Sequence, residues 1–172
     1  MFVDECGTHT SMTRLRARAP KGERAYGRVP RNRGKNTTLL ASMSVEGMGP
    51  SMAVVGSTKK AVFEAYVEQV LAPTLSEGQV VILDNLGAHR GARVREFVQA
   101  RGCELVFLPP YSPDFSPIEE AFSKIKALLR KAKAREREAL VEAIGRALSA
   151  ITVQDARGYF GHCGYPIGAQ SS

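Results

Sequence analysis

At 172 residues and 44% hydrophobic composition, the chain suits one domain with a sizeable core. No apolar run is long enough to cross a bilayer and no signal peptide is evident, so the sequence reads as cytoplasmic with no membrane partner. Cys6, Cys103 and Cys163 form no CxxC pair and read as reduced thiols, which argues against a disulfide scaffold. The net charge is +7. Nine basic residues between Arg14 and Lys35 face one acid, Glu23, so this segment carries the whole excess. It suits a polyanion such as nucleic acid, or a solvated loop that keeps the protein soluble.

In chain order, Met1–Glu5 reads as a strand, and the basic segment that follows has one candidate strand near Ala25–Val29. Thr37–Val45 and Ser51–Val55 have strand character around a turn at Glu46–Gly49, giving a meander. Lys60–Leu71 has helical periodicity and Pro73 ends it. Val80–Asp84 is a short apolar strand running into a carboxylate. Ala92–Gln99 reads as a helix and Glu104–Leu108 as a strand. Ser116 is a good N-cap and Pro117 a good first helical residue for a helix striped by Ile118, Phe122, Ile125 and Leu129. A last helix is expected over Arg135–Ala150, and the tail after Gly164 is small and polar. A meander followed by strand–helix alternation predicts a mixed α/β sheet flanked by helices, with ligands gathering where strands end.

Two predicted strands carry acids at their ends, Asp4 and Asp84, and Glu119 lies in the first turn of the helix from Pro117. Carboxylates gathered in a low-dielectric site repel one another, and a divalent cation removes that penalty. Each acid also has a structural reading. Asp4 and Asp84 suit turns at strand ends. Ser116-Pro117-Ile118-Glu119 fits a capping box, in which the glutamate folds back on its own helix. Glu120 is expected to pair with Lys124 one turn on, which leaves Glu119 on a face with Ser123, Lys126 and Arg130. Cys6-x-x-His9 and His162-Cys163 hint at zinc, but adjacent ligands serve one tetrahedral ion poorly.

The stretches FVDE (2–5), LDNLGAH (83–89), LPPYSPDFSPIEEAFSKIK (108–126) and GHCGY (161–165) resemble the catalytic domain of IS630-type transposases within the Tc1/mariner superfamily. The 34 residues between Asp84 and Glu119 match the pattern called DD34E. The resemblance implies a ribonuclease H-like fold over residues 1–165, with 166–172 a disordered tail. Asp4, Asp84 and Glu119 are then the catalytic, metal-binding residues. The implied cofactor is Mg²⁺, with Mn²⁺ able to substitute. Arg14, Arg16, Arg18, Arg31, Arg33, Lys35 and Lys126 are candidate DNA contacts, and Asn85 and His89 candidate supporting residues.

The activity implied is DNA transposition: hydrolysis of a phosphodiester at the element end, then attack of the freed 3′ hydroxyl on target DNA, expected at a TA dinucleotide. A homodimer on paired ends and a prokaryotic, nucleoid-associated setting follow from the same resemblance. Family members usually carry helix-turn-helix modules before this domain, and none is recognisable here. The expected explanations are a second reading frame, a truncated copy or a trimmed piece. Two other readings stay open: a nuclease of the same fold that does not join strands, and a non-catalytic basic DNA-binding remnant.

Overall fold

The computed structural model describes residues 1–31, 34–87, 89–110 and 112–166. The central strand, β1 (Phe2–Thr8), opens the chain. Its alternation turns Phe2, Asp4 and Cys6 towards one face of the sheet and Val3 and Glu5 towards the other. β2 (Thr37–Ser44) pairs antiparallel with β1, and β3 (Gly47–Val55) pairs antiparallel with β2. β4 (Val80–Leu83) lies parallel to β1 on its other side, and β5 (Glu104–Phe107) parallel to β4. The order is therefore β3-β2-β1-β4-β5, the mixed five-stranded sheet expected from the sequence.

Helices cover both faces. α1 (Lys60–Tyr66) runs on through a wider turn at Val67–Leu71 and a 3₁₀ turn at Ala72–Thr74. With α2 (Ala92–Gln99) it packs Phe63, Tyr66, Leu71, Val94 and Val98 on Val3, Leu40 and Leu83. α3 (Pro117–Ala132), α4 (Arg137–Ser149) and α5 (Val153–His162) cover the opposite face, over Phe2, Cys6, Leu39 and Ala41. The stripe read from the sequence, Ile118, Phe122, Ile125 and Leu129, is the buried side of α3. Cutting fully buried Phe122 back to alanine would cost about 3–5 kcal/mol.

Several expectations need correction. Residues 25–29 form no strand. They are exposed, lie among basic residues and pair with neither edge of the sheet. The hairpin turn is Val45-Glu46, and Gly47, at φ 120°, already opens β3. Pro73 does not end the helical path but sits inside its 3₁₀ extension, where a missing N–H costs little. α5 was not anticipated. Only Ala156 and Phe160 of its ten residues are buried, too thin a stripe to stand out in sequence.

Candidate active site

Phe2 pairs with Ile82 and Val3 with Leu83, so Asp4 and Asp84 follow as neighbours on adjacent parallel strands. Such strands lie about 4.8 Å apart. β1 continues past Asp4, which is 8% exposed, whereas β4 stops at Leu83 and leaves Asp84 half-buried at the strand end. The chain then leaves β5 through Pro109-Pro110 and makes a 3₁₀ turn at Pro113–Phe115. At Ser116 it enters α3, whose first turn delivers Glu119. Asp4, Asp84 and Glu119 line one cavity of about 380 Å³, walled by Leu86, Leu108, Pro109, Pro110 and Pro113.

The electrostatics of this cavity are unfavourable as it stands. Burial pushes the Asp4 carboxyl up to about 7, the Glu5 N–H (2.7 Å) works against that, and the charges of Glu119 and Asp84 push it further up. Asp84 is held by the loop that follows it: its Oδ1 accepts from His89 Nδ1 and from the Leu86 N–H at 3.1 Å. Burial pulls His89 down, but the Asp84 hydrogen bond and the nearby Glu5 carboxylate outweigh that and raise it to about 9.

The capping-box reading of Glu119 fails. Ser116 caps α3 with its backbone geometry alone and its side chain makes no cap bond. The hydroxyl is buried at the cavity wall, and Glu119 stays exposed beside it. A real capping box joins Thr152 and Asp155 at the start of α5. The Glu120–Lys124 pair is also not formed. Glu120 bonds His162 Nδ1 at 2.6 Å, and Lys124 bonds Asp155 at 2.6 Å. Both residues reach across to α5, which offers a closer partner than the next turn of their own helix. The GHCGY motif thus acts as a brace, because Tyr165 also donates to the Phe115 carbonyl at 2.8 Å and packs on Phe2, 5.1 Å between ring centres.

Among the remaining sequence candidates, Asn85 lines the cavity and accepts from Arg90. Lys126 is half-buried two turns along α3 from Glu119; its charge reaches Cys6 but it does not line the cavity. Arg14, Arg16, Arg18, Arg31 and Lys35 are exposed, with no carboxylate partner among the described residues. Arg33 lies outside the described residues, as do 167–172 of the expected tail. Arg135 anchors the start of the basic segment through the carbonyls of Thr10 (2.8 Å) and Met12 (3.1 Å). Glu5, within the FVDE motif, stands 4.0 Å from His89 through Oε2, a contact that the motif itself does not announce. Strand alternation was the available signal, since it sends Glu5 to the face opposite Asp4, where His89 stacks on Phe63.

The donor set suits a hard divalent cation: three carboxylates, of which burial leaves Asp4 only partly ionised at neutral pH. Among the described residues no three His, Cys, Asp or Glu groups already stand close enough to enclose an ion. Mg²⁺ needs few protein ligands and takes the rest from water and phosphate. A zinc thiolate at Cys6 is disfavoured, because burial pushes that thiol up to about 12.

A family model described as DDE superfamily endonuclease matches residues 1–141. The transposable element Tcb1 transposase of Caenorhabditis briggsae is 27% identical over 128 residues, covering 70% of this chain and 47% of that protein. The Mos1 transposase paired-end complex with left transposon end superposes with a TM-score of 0.77 at 17% identity, over 94% of this chain and 51% of that one. The Mos1 mariner paired-end complex with Mn gives 0.68 at 17% identity, over 94% and 51%. The chain therefore spans about half the length of the proteins it matches. These matches bear out the resemblance and the ribonuclease H-like fold read from the motifs. No helix among the described residues is long and apolar enough to cross a membrane.

Proposed function

The chain belongs to the DDE superfamily endonucleases, and from that premise we propose that it is the catalytic domain of a DNA transposase. It hydrolyses a phosphodiester bond and joins the freed 3′ end to target DNA. The observation that carries this reading is the convergence of Asp4, Asp84 and Glu119 on one cavity, with Asp4 pushed up to about 7.

In this reading the three carboxylates hold Mg²⁺ or Mn²⁺. When bound, such ions offset the carboxylate repulsion and polarise the scissile phosphate. The Mos1 complex with Mn supports that choice of ion. Asp4 is fixed by burial in the central strand and Asp84 by His89 and the Leu86 N–H. Glu119 is free to adjust from the exposed side of α3. Leu86, Leu108 and the prolines form the apolar part of the wall beside the carboxylates. Exposed Arg14, Arg16, Arg18, Arg31 and Lys35 meet backbone phosphates without reading sequence. A paired-end homodimer, a TA target and a prokaryotic nucleoid setting complete the proposal.

The test is cleavage and joining of labelled DNA with Mn²⁺. Metal-dependent nicking plus a joined product, both lost in Glu119→Gln, is the expected result. Nicking without joining supports a nuclease instead. Salt-sensitive DNA binding with no metal-dependent product supports a non-catalytic remnant.

A further inference from the structure

His89 has no exposed surface and sits against Phe63, with ring centres 4.0 Å apart and planes at 29°. It lies between two acids. Nδ1 meets Asp84 Oδ1, and Nε2 stands 4.0 Å from Glu5 Oε2. Both Nε2 and Glu5 Oε2 are buried without a hydrogen-bond partner. A buried imidazole and carboxylate left unpaired are costly, and each is the other's nearest remedy. Asp84 Oδ1 is committed to His89 and the Leu86 N–H, whereas Oδ2 makes no hydrogen bond among the described residues. Neither of the other cavity acids is held this way. Asp4 Oδ1 takes the N–H of the next residue, and the Glu119 side chain makes no hydrogen bond among the described residues.

We propose that Glu5 and His89 are positioning residues for Asp84. His89 donates its Nδ1 proton to Asp84 Oδ1, Glu5 fixes the far edge of the ring, and the carboxylate is held in one rotamer with Oδ2 presented to the cavity. The chain of contacts runs from β1 through the loop after β4 and back to the strand end. It ties the half-exposed Asp84 to the rigid central strand. The proposal rests on the cation-site reading above. Outer partners of this kind orient a ligand, and their loss typically weakens metal affinity by about 10–100-fold.

The experiment is a Mn²⁺ titration of the full chain without DNA, followed by electron paramagnetic resonance. It is paired with proton NMR of the metal-free protein, and circular dichroism checks folding. His89→Phe keeps the stack on Phe63 and removes the donor, whereas His89→Asn keeps a donor near the Nδ1 position. The expected result is affinity weakened about tenfold or more in His89→Phe. His89→Asn stays near wild type, and Glu5→Gln falls between them. A low-field imidazole proton is expected in the wild type and lost in Asp84→Asn. A folded His89→Phe that binds Mn²⁺ like the wild type overturns the proposal, and so does absence of the low-field proton. If His89→Phe does not fold, that proton decides. A wild-type chain that shows the proton yet takes no Mn²⁺, or whose binding is untouched by Glu119→Gln, overturns the cation site and the metal-positioning role, leaving only a structural hydrogen bond.

Discussion

Glu119 and Glu120 are neighbours in the first turn of α3 and have opposite surroundings. Glu120 turns to α5 and bonds His162; nearby, Lys124 and Thr152 hold Asp155 at about 2, the Lys124 bond being the larger cause. Glu119 turns to a cavity that already contains Asp4 and Asp84 and that no lysine or arginine among the described residues lines. The first arrangement neutralises charge and braces a helix. The second gathers three carboxylates around one basic group, the His89 that holds Asp84, an excess of one sign that folding alone would not favour. Paired acids account for themselves structurally, and crowded unpaired acids call for an external ligand.

The sharpest way to break this contrast is to neutralise each member of the pair. Glu119→Gln should lower metal-dependent cleavage by about a thousandfold or more, roughly 4 kcal/mol of barrier. Glu120→Gln should leave cleavage within about threefold and cost only part of a surface ion pair, under ~1 kcal/mol. Equal losses in a cleavage assay would contradict the division.

The next largest effect concerns stability and has a definite sign. Asp4 ionises near 7 in the folded chain against an ordinary value of 3.8. Below pH about 3.8 both states are protonated and nothing is lost. As pH rises towards 7 the unfolded chain ionises first, so metal-free stability falls across that window. Asp4→Asn should therefore stabilise the metal-free protein at pH 8, by an upper bound of about 4 kcal/mol, with the gain vanishing near pH 3.5. Denaturant melts at the two pH values, with chelator present, check this. Asp155 has the opposite sign: its contribution is present above 3.8 and is lost as pH falls towards 2.

Smaller effects follow from the cations. Arg14, Arg16 and Arg18 have no acid partner among the described residues, so their charge is available to phosphate. Replacing all three with serine should flatten the slope of log binding constant against log salt by about 2 to 3 if each meets a phosphate. An unchanged slope would return the segment to a solvated loop. The smallest effect is on the paired side. Thr152→Ala removes the α5 cap and should cost about 1 kcal/mol in thermal melts, with cleavage retained.

Most of the sheet was legible because Val80–Leu83 is a short apolar run and Thr37–Ser44 sets β-prone Thr, Leu and Met before a turn, and α3 because its stripe is four residues deep. Two strands ending on acids were the sign of a meeting of Asp4 and Asp84, but β1 runs on to Thr8, and it is the parallel register of β1 and β4 that makes them neighbours. The S-x-x-E motif misled because Ser116 is drawn into the cavity wall, a tertiary effect that no local pattern carries. Thr152-x-x-Asp155 carries Asp where the usual capping box carries Glu or Gln, so the sequence pattern alone does not mark the start of α5. The His89–Asp84 contact was illegible because it depends on a loop folding back five residues onto a strand end.

The most direct test of the central claim is the anomalous scattering of manganese in crystals of the full chain soaked in Mn²⁺. A peak between the carboxylates of Asp4, Asp84 and Glu119, lost in Asp84→Asn, is the predicted result. A fully soaked crystal whose only manganese peaks lie elsewhere would contradict the account.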